Sequence, residues 1–167
     1  SPSTHFIINT FQTSADQAQA AEIMRSCPDA VAFVQSLYES GTLPVSQYMG
    51  SAPIDESDWT EDIVFSKVDI VVEPQNQERY ADAYAKMMKK ISRDVEMRSY
   101  GLGRVGFGRD RFTHWVWTGA RSIPELNAIT QRLTSHPVFM EFNQDVGRMR
   151  DVMNTSQNVI IKSYPRQ

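Results

Sequence analysis

The sequence predicts an α+β protein, and three features lead to that prediction. Strand-like and helix-like segments follow one another in the order β-α-β-β-α-β between Ile63 and Pro165. The stretch from Thr4 to Leu37 repeats the outline of the stretch from Thr113 to Val146. The single cysteine, Cys27, excludes an internal disulfide framework, so a hydrophobic core has to hold the fold together.

The longer part of the chain predicts one complete ferredoxin-like βαββαβ unit, whose antiparallel sheet carries both helices on one face. The predicted elements are, in order, a strand over 63–73, an amphipathic helix over 74–95, a glycine-rich strand over 97–108, a hairpin partner over 111–119, a helix over 122–149 that breaks at Pro137, and a last strand over 157–165. The tight turn of the hairpin falls at 108–110. The other face of such a sheet needs a cover, which a second sheet commonly supplies.

The shorter part predicts only a β-α-β half unit. A strand over Thr4–Phe11 precedes a helix that Pro28 interrupts, and a short strand over Leu43–Ser51 follows. The acidic stretch over 52–62 contains Pro53 and is typical of a linker. We therefore assign residues 1–55 to a β-α-β half repeat and residues 56–167 to the complete ferredoxin-like domain, packed as one globular unit.

A shift of 109 positions places the first stretch on the later one without a gap. Six of 34 positions are identical, and they lie at the strand start, the helix break and one face of the next helix. The favoured interpretation is a tandem duplication in which the first copy keeps its second half. The alternative is that the likeness is only that of any two α/β segments of similar length, without a duplication.

Composition and charge exclude several classes of protein. The formal net charge of -3 gives no basic footprint, so nucleic acid is not expected as the main partner. No apolar run is long enough to span a membrane, and no signal-peptide core is present in this sequence. We expect a cytoplasmic protein, with an already cleaved signal peptide as the open alternative.

The segment from Phe112 to Val146 and the final strand resemble the stress-responsive A/B barrel family and the wider dimeric α/β barrel superfamily, which includes antibiotic-biosynthesis-type monooxygenases. The shared pattern is Phe112-Thr113-His114 entering a strand, Ser135-His136-Pro137 ending a helix, and Ser163-Tyr164-Pro165 ending the last strand. This resemblance implies a barrel, a homodimer and a ligand pocket. In polyketide-cyclising members of the superfamily, the histidine of the third strand acts as base, and that position is His114 here. The first strand lacks the second histidine that some cyclising members use.

Strand alternation places His114, Val116 and Thr118 on one face and Trp115 and Trp117 on the other. We expect the tryptophans to pack under the helices, which directs His114 into the barrel as a general base. The alternative is a structural, hydrogen-bonded histidine. His136 matches Cys27 in the first copy, so we assign it a helix-end role rather than chemistry.

Further candidates surround His114. Asp69 is predicted to orient His114 or bind a polar substrate, and Tyr100 to donate a hydrogen bond to a ligand oxygen. His5, the repeat mate of His114, together with Arg98, Arg104 and Trp117, is expected to contact substrate. For Asp69 and the two arginines, the alternative is an ordinary charge exposed to solvent or an interface.

No motif indicates a cofactor or a metal. The glycines of GLGRVGFG lie in a strand before a hairpin rather than between a strand and a helix, so they do not match a dinucleotide site. The functional hypothesis is a barrel that binds a small hydrophobic ligand, as a cofactor-independent monooxygenase or a cyclase or lyase. The alternative is a non-catalytic ligand-binding or stress-associated barrel.

Overall fold

The computed structural model of this protein describes residues 4–58, 61–108 and 111–164. The chain divides into two compact units, residues 1–47 and residues 48–167, and each unit is described separately below. Arg109 and Asp110, which belong to the predicted hairpin turn, lie outside the described residues, as does Pro165.

The first unit consists of two helices, α1 over Ser14–Ser26 and α2 over Pro28–Glu39. Thr13 caps α1 through a capping box with Asp16, in which each side chain accepts a hydrogen bond from the other residue's backbone N–H. Pro28 begins α2, where its missing N–H costs no hydrogen bond. Both helices therefore begin at residues that favour a helix start, a capping threonine for α1 and a first-turn proline for α2.

The predicted strand over Thr4–Phe11 is wrong, because no residue from 4 to 11 is in a strand. Phe6, Ile7 and Ile8 keep 53%, 70% and 60% of their surfaces exposed. A strand needs a neighbouring strand to pair its backbone, so β-branched residues alone do not produce one. The described part of the first unit contains helices and connecting segments only.

The second unit is built on one five-stranded antiparallel sheet. Its strands are β1 over Tyr48–Glu56, β2 over Val64–Val72, β3 over Ser99–Gly108, β4 over His114–Ala120 and β5 over Arg150–Val159, in the order β1-β3-β4-β2-β5. The last four strands have the order of a ferredoxin-like unit, and β1 adds one edge strand. The predicted ferredoxin-like α+β class is confirmed.

Three helices cover one face of this sheet: α3 over Gln77–Asp94, α4 over Ile123–Ser135 and α5 over Pro137–Val146. Short 3-10 turns precede α3 and follow α5. Tyr80, Tyr84, Met87, Met88 and Ile91 fall on one stripe of α3 and are all buried. They pack with side chains of β2, β3, α4 and α5 in one apolar cluster, so the core of this unit lies between the helices and the sheet.

Two strands differ from their predicted positions. β1 runs on to Glu56 through the predicted linker, and its pairing with β3 shifts register around Pro53, which has no N–H to donate to a ladder. This strand belongs to the sheet of the second unit, so the division between units falls after Gln47 rather than after residue 55. β5 begins at Arg150, seven residues before the predicted strand at Gln157, because the polar run after α5 pairs with β2.

All strands of the described residues belong to this one sheet. The second sheet that would complete a barrel is therefore not formed within the described ranges, and its supply by a second chain stays a prediction. None of the helices in those ranges is long and apolar enough to cross a membrane.

Candidate functional site

The strand register divides the predicted site residues between the two faces of the sheet. Val116 and Ala120 pack with the helices, and His114 has the same parity along β4, so His114 lies on the helix face. Trp115 and Trp117 lie on the opposite face. The expectation that the tryptophans pack under the helices and His114 points away from them is wrong.

The physical reason lies in the neighbouring strand β3. A Cβ atom on Gly101 would overlap the ring of Trp117, and one on Gly103 would overlap the ring of Trp115. The two glycines therefore leave the space that the indole rings fill on the face away from the helices. This pairing of Gly with Trp across strands fixes which face of β4 the tryptophans occupy.

His114 is buried, with 3% of its surface exposed. Burial, and secondly the positive charge of Arg104 beside it, lower the pKa of His114 below its ordinary value. His114 is therefore neutral at physiological pH.

The Thr113 hydroxyl is the hydrogen-bond partner of the His114 ring. The Thr113 hydroxyl accepts a hydrogen bond from the Val72 N–H at 2.8 Å and lies 2.9 Å from Nδ1 of His114. The carbonyl oxygens of Ile70 and Val72 are farther away, each at 3.4 Å. The Thr113 hydroxyl either donates to Nδ1, or donates to one of these carbonyls and accepts from a protonated Nδ1, so this contact is compatible with both neutral tautomers of His114.

Tyr100 and Arg104 share the helix face with His114. Arg104 is opposite His114 in the β3–β4 pairing, and Tyr100 is opposite Thr118. Tyr100 is partly exposed and Arg104 is exposed. The structure therefore brings together three of the predicted residues, His114, Tyr100 and Arg104, on one face.

Asp69 lies on the other face, directly opposite Trp115 in the β2–β4 pairing. The sheet separates it from His114, so the predicted orienting contact between Asp69 and His114 is wrong. Asp69 is 6% exposed and forms an ion pair with Lys67. Nδ2 of Asn154 on β5 donates to the second carboxylate oxygen of Asp69 at 3.5 Å. Both oxygens of this carboxylate thus face donors.

Aromatic rings surround the ammonium group of Lys67. Its Nζ lies 4.7 Å from the centroid of the Phe112 ring and 5.5 Å from that of Tyr48. The Tyr48 ring packs edge-on against Phe112 at 4.9 Å and lies 5.4 Å from the ring of Trp115. A cation over such rings is stabilised by their negative faces. We call the group formed by Lys67, Asp69, Asn154, Tyr48, Phe112 and Trp115 the sheet-face site.

The remaining predicted residues lie outside both groups. Trp117 is 8% exposed, and its indole N–H donates to Oγ of Ser57 at 3.0 Å, so its polar group already has a partner. The guanidinium of Arg98 contacts the carboxylates of three acidic residues, Asp58, Glu61 and Asp62. His5 belongs to the first unit and is exposed; its Nδ1 lies 3.1 Å from Oγ1 of Thr4.

Metal-binding side chains do not converge in the ranges that the structure describes: no three His, Cys, Asp or Glu residues there are grouped to hold an ion. His136 caps the start of α5, where its Nδ1 accepts from the Val138 N–H at 3.2 Å, and its Nε2 contacts Asp94. The predicted helix-end position of His136 is therefore what the structure shows.

Comparison with known proteins shows the fold of this chain. No protein-family model matches the sequence, and no curated protein matches it. A candidate monooxygenase from Fusobacterium nucleatum subsp. nucleatum has a similar structure, with a TM-score of 0.55, 11% identity and coverage of 86% of this chain and 63% of its own. An anthrone oxidase-like protein matches with a TM-score of 0.55, 11% identity and coverage of 86% and 68%.

A third structure of this fold has a different description. It is a major regulator of staphylococcal pathogenesis, with a TM-score of 0.53, 10% identity and coverage of 72% of this chain and 73% of its own. At these identities the likeness establishes the fold alone, because one fold carries many functions. This chain spans less than two thirds of the Fusobacterium protein.

Sequence reasoning named Asp69 as a candidate, but it did not bring the other members of the sheet-face site together with it. Asn154 could not be predicted as a site residue, because the segment before Gln157 is too polar to predict a strand. Tyr48 and Phe112 flank strand ends, and their approach to Lys67 depends on the sheet order. Aromatic residues near a charged pair in a strand could have indicated this part of the sequence as a candidate site. They could not have shown which strands bring the residues together.

Proposed function

We propose that this protein binds a hydrophobic, oxygen-bearing small molecule at the sheet-face site. The observation that supports this proposal is the ion pair of Lys67 and Asp69, which lies among aromatic rings on the face away from the helices. Ligand sites are typically apolar surfaces with a few convergent polar groups. Here the rings supply the apolar surface, and Lys67, Asp69 and Asn154 supply the polar groups.

Stability alone does not account for this arrangement. The side chains of Lys67 and Asp69 are 16% and 9% exposed, so both charges lose much of their hydration. Replacing a buried ion pair by apolar residues of similar size is often neutral or stabilising. A charged pair kept in such a place is therefore better explained by contact with a ligand than by folding.

Binding can be measured through the tryptophan fluorescence of the protein, because Trp115 lies within the site. The probes are a panel of planar phenols and anthrones. We expect Asp69→Asn and Lys67→Met to weaken binding about tenfold, or ~1.4 kcal/mol, because each leaves one polar group of the ligand without its partner. Asp151→Asn is the matched control, since Asp151 is an exposed carboxylate at the start of β5. Equal affinities for the wild type and both site variants would contradict the proposal.

A second candidate function is cofactor-independent oxygenation of the same ligand. The printed descriptions of two structural neighbours, a candidate monooxygenase and an anthrone oxidase-like protein, favour it. Asp69 would remove an acidic C–H or O–H proton, and Lys67 would stabilise the resulting anion for reaction with oxygen. Asp69 rather than His114 is the candidate base, because His114 lies on the helix face of the sheet, away from the sheet-face site. A cyclase or lyase would use the same proton removal.

Oxygen consumption with anthrone as substrate separates the two candidate functions. The catalytic proposal expects turnover that Asp69→Asn removes and His114→Ala leaves largely intact. If His114→Ala loses turnover while Asp69→Asn remains active, the base is His114 rather than Asp69. Saturable binding without oxygen uptake by the wild type would leave the ligand-binding function alone.

A further inference from the structure

A row of polar side chains crosses the helix-facing side of the sheet at a single level. The register pairs Gln157 with Ser66, Ser66 with Thr118, Thr118 with Tyr100, and Tyr100 with Glu56. The row therefore includes one residue from each of the five strands. None of these five residues is fully buried, although helices cover this face.

On β2 and β4 the row lies between apolar neighbours, so there it is not the edge of the core. On β2 the helix-facing positions are occupied by Val64, Ser66, Val68, Ile70 and Val72. Val64 on one side of Ser66 is 1% exposed, and its partner Ala120 is fully buried. A valine at position 66 would continue the apolar run and add buried apolar surface. Core packing therefore does not explain Ser66.

A shallow, solvent-open cavity of about 270 Å³ lies over the β5 end of this row, between α4 and the strands β2 and β5. Beside Leu126 it is lined by Ser66, Asn127, Thr130, Thr155, Ser156 and Gln157. The Ser156 hydroxyl already accepts from Asn158. Leu126 is 1% exposed and supplies an apolar wall. The helix α4 thus presents Leu126 to the core and Asn127 and Thr130 to the cavity.

The polar groups of this cavity are uncharged; Ser66 is partly buried, and Asn127, Thr130, Thr155 and Gln157 are exposed to solvent. Within residues 4–58, 61–108 and 111–164, the side chains of Ser66, Asn127, Thr130, Thr155 and Gln157 make no hydrogen bond to another residue. Together they offer three hydroxyl and two amide groups, which can both donate and accept. No ionisable side chain lines the cavity to balance a ligand charge.

We propose that this cavity is a second binding site, which takes a neutral, hydroxyl-rich small molecule of the size of a single sugar or polyol. Hydroxyl groups of the ligand exchange donated and accepted hydrogen bonds with the amide and hydroxyl groups of the lining, and its C–H face packs on Leu126. This site differs from the sheet-face site in its position on the other side of the sheet and in the chemistry of its ligand.

The binding test uses the whole chain and follows the methyl resonances of Leu126 and Val68 by NMR. The neutral probes are glycerol, myo-inositol and glucose, and the charged comparison probes are gluconate, glucosamine and glucose 6-phosphate. We expect saturable shifts with a neutral probe and weaker or no shifts with its charged counterparts. An absence of saturable shifts with every neutral probe, or tighter binding of a charged one, would overturn the proposal.

Two variants test the lining. Ser66→Val and Asn127→Leu are expected to weaken binding of the responding probe at least tenfold. Ser66→Val should also melt no earlier than the wild type, because valine fits the apolar run of β2; loss of binding then does not reflect loss of fold. If Ser66→Val fails to fold, the affinity of Asn127→Leu decides whether the probe binds in this cavity. Residue 127 is exposed, so its replacement should not affect folding.

Two control variants locate the bound probe. Gln144→Leu on α5 and Asp69→Asn at the sheet-face site are expected to bind the probe as the wild type does. Wild-type affinity in Ser66→Val and Asn127→Leu would contradict the site. So would a loss of binding in Asp69→Asn, because it would place the probe on the other face of the sheet.

Discussion

Burial and the charge of Arg104 both disfavour the imidazolium form of His114. The ring also shares a hydrogen bond with the Thr113 hydroxyl at 2.9 Å, which either neutral tautomer can make. Protonation of His114 would place a charge in a buried position near the positive charge of Arg104. At the scale of a single residue, the fold selects the neutral state.

This selection predicts a pH dependence of stability. The pKa of His114 is lowered in the folded state, so between that lowered pKa and the ordinary value of 6.5 the unfolded chain binds more protons. The contribution of His114 is fully present above pH 6.5 and is lost as the pH falls below that value. The loss amounts to at most about 1.4 kcal/mol per pH unit, the value for one proton.

Urea unfolding at pH 7.5, 6.5, 5.5 and 5.0 measures this dependence. The wild type should lose more stability on acidification than His114→Gln, whose amide can still accept from Thr113 but does not titrate. Gln131→Asn on the exposed side of α4 is the control, because it changes no titratable group and should keep the acid dependence of the wild type. Parallel pH curves for the wild type and His114→Gln would contradict the prediction.

At the scale of elements, β3 and β4 fit together because glycine faces tryptophan. A methyl group on Gly101 would overlap the ring of Trp117 and lie 2.5 Å from the backbone oxygen of Ile54. Trp117 is held by Ser57 and the backbone of β1 is paired with β3, so neither neighbour can move freely. The glycine-rich run of β3 therefore serves packing between strands.

The variant Gly101→Ala tests this packing. We expect it to destabilise the protein by about 1–3 kcal/mol, the usual cost of an overpacked core position. Gly106→Ala on the same strand is the matched control, since its added methyl would meet only the Met49 oxygen at 3.7 Å. Thermal melts should show a clear loss for the first variant and little change for the second. A Gly101→Ala variant as stable as Gly106→Ala would refute the packing argument.

The helix boundaries followed from the sequence, because helix starts are local. Ser122 caps α4 as Thr13 caps α1, and Pro137 begins α5 as Pro28 begins α2. Both ends of α1 coincide with those of α4 after the shift of 109 residues found in the sequence. The repeat therefore holds for the helices. It does not hold for Thr4–Phe11, which matches β4 in sequence but pairs with no strand.

At the scale of the whole molecule, strand alternation shows that two sets of residues face opposite ways, but it does not show which set meets the helices. That choice depends on contacts between distant segments, such as the fit of the Trp115 ring over Gly103. For the same reason the pairing of Asp69 with Lys67 and Asn154 could not be placed from the sequence. The fold class can be predicted from local sequence patterns, whereas the set of residues that meet in the site depends on the strand order.

Among the described residues, the apolar cluster that holds the second unit draws on side chains between Ile54 and Met149. By contrast, no side chain from residue 4 to 47 is buried. Isolated helices as short as α1 and α2, with 13 and 12 residues, are marginal in water. A fragment of residues 48–167 should therefore unfold in one cooperative thermal transition, and a peptide of residues 1–47 should show little helix by circular dichroism.

A shorter fragment of residues 64–167 is the control for this prediction, because it also lacks β1. Seven register pairs join β1 to β3, and their loss exposes the backbone edge of β3. This fragment should melt earlier than residues 48–167 and aggregate more readily. An unfolded 48–167 fragment, or a strongly helical 1–47 peptide, would show that the stability of the fold does not reside in the helix-covered sheet.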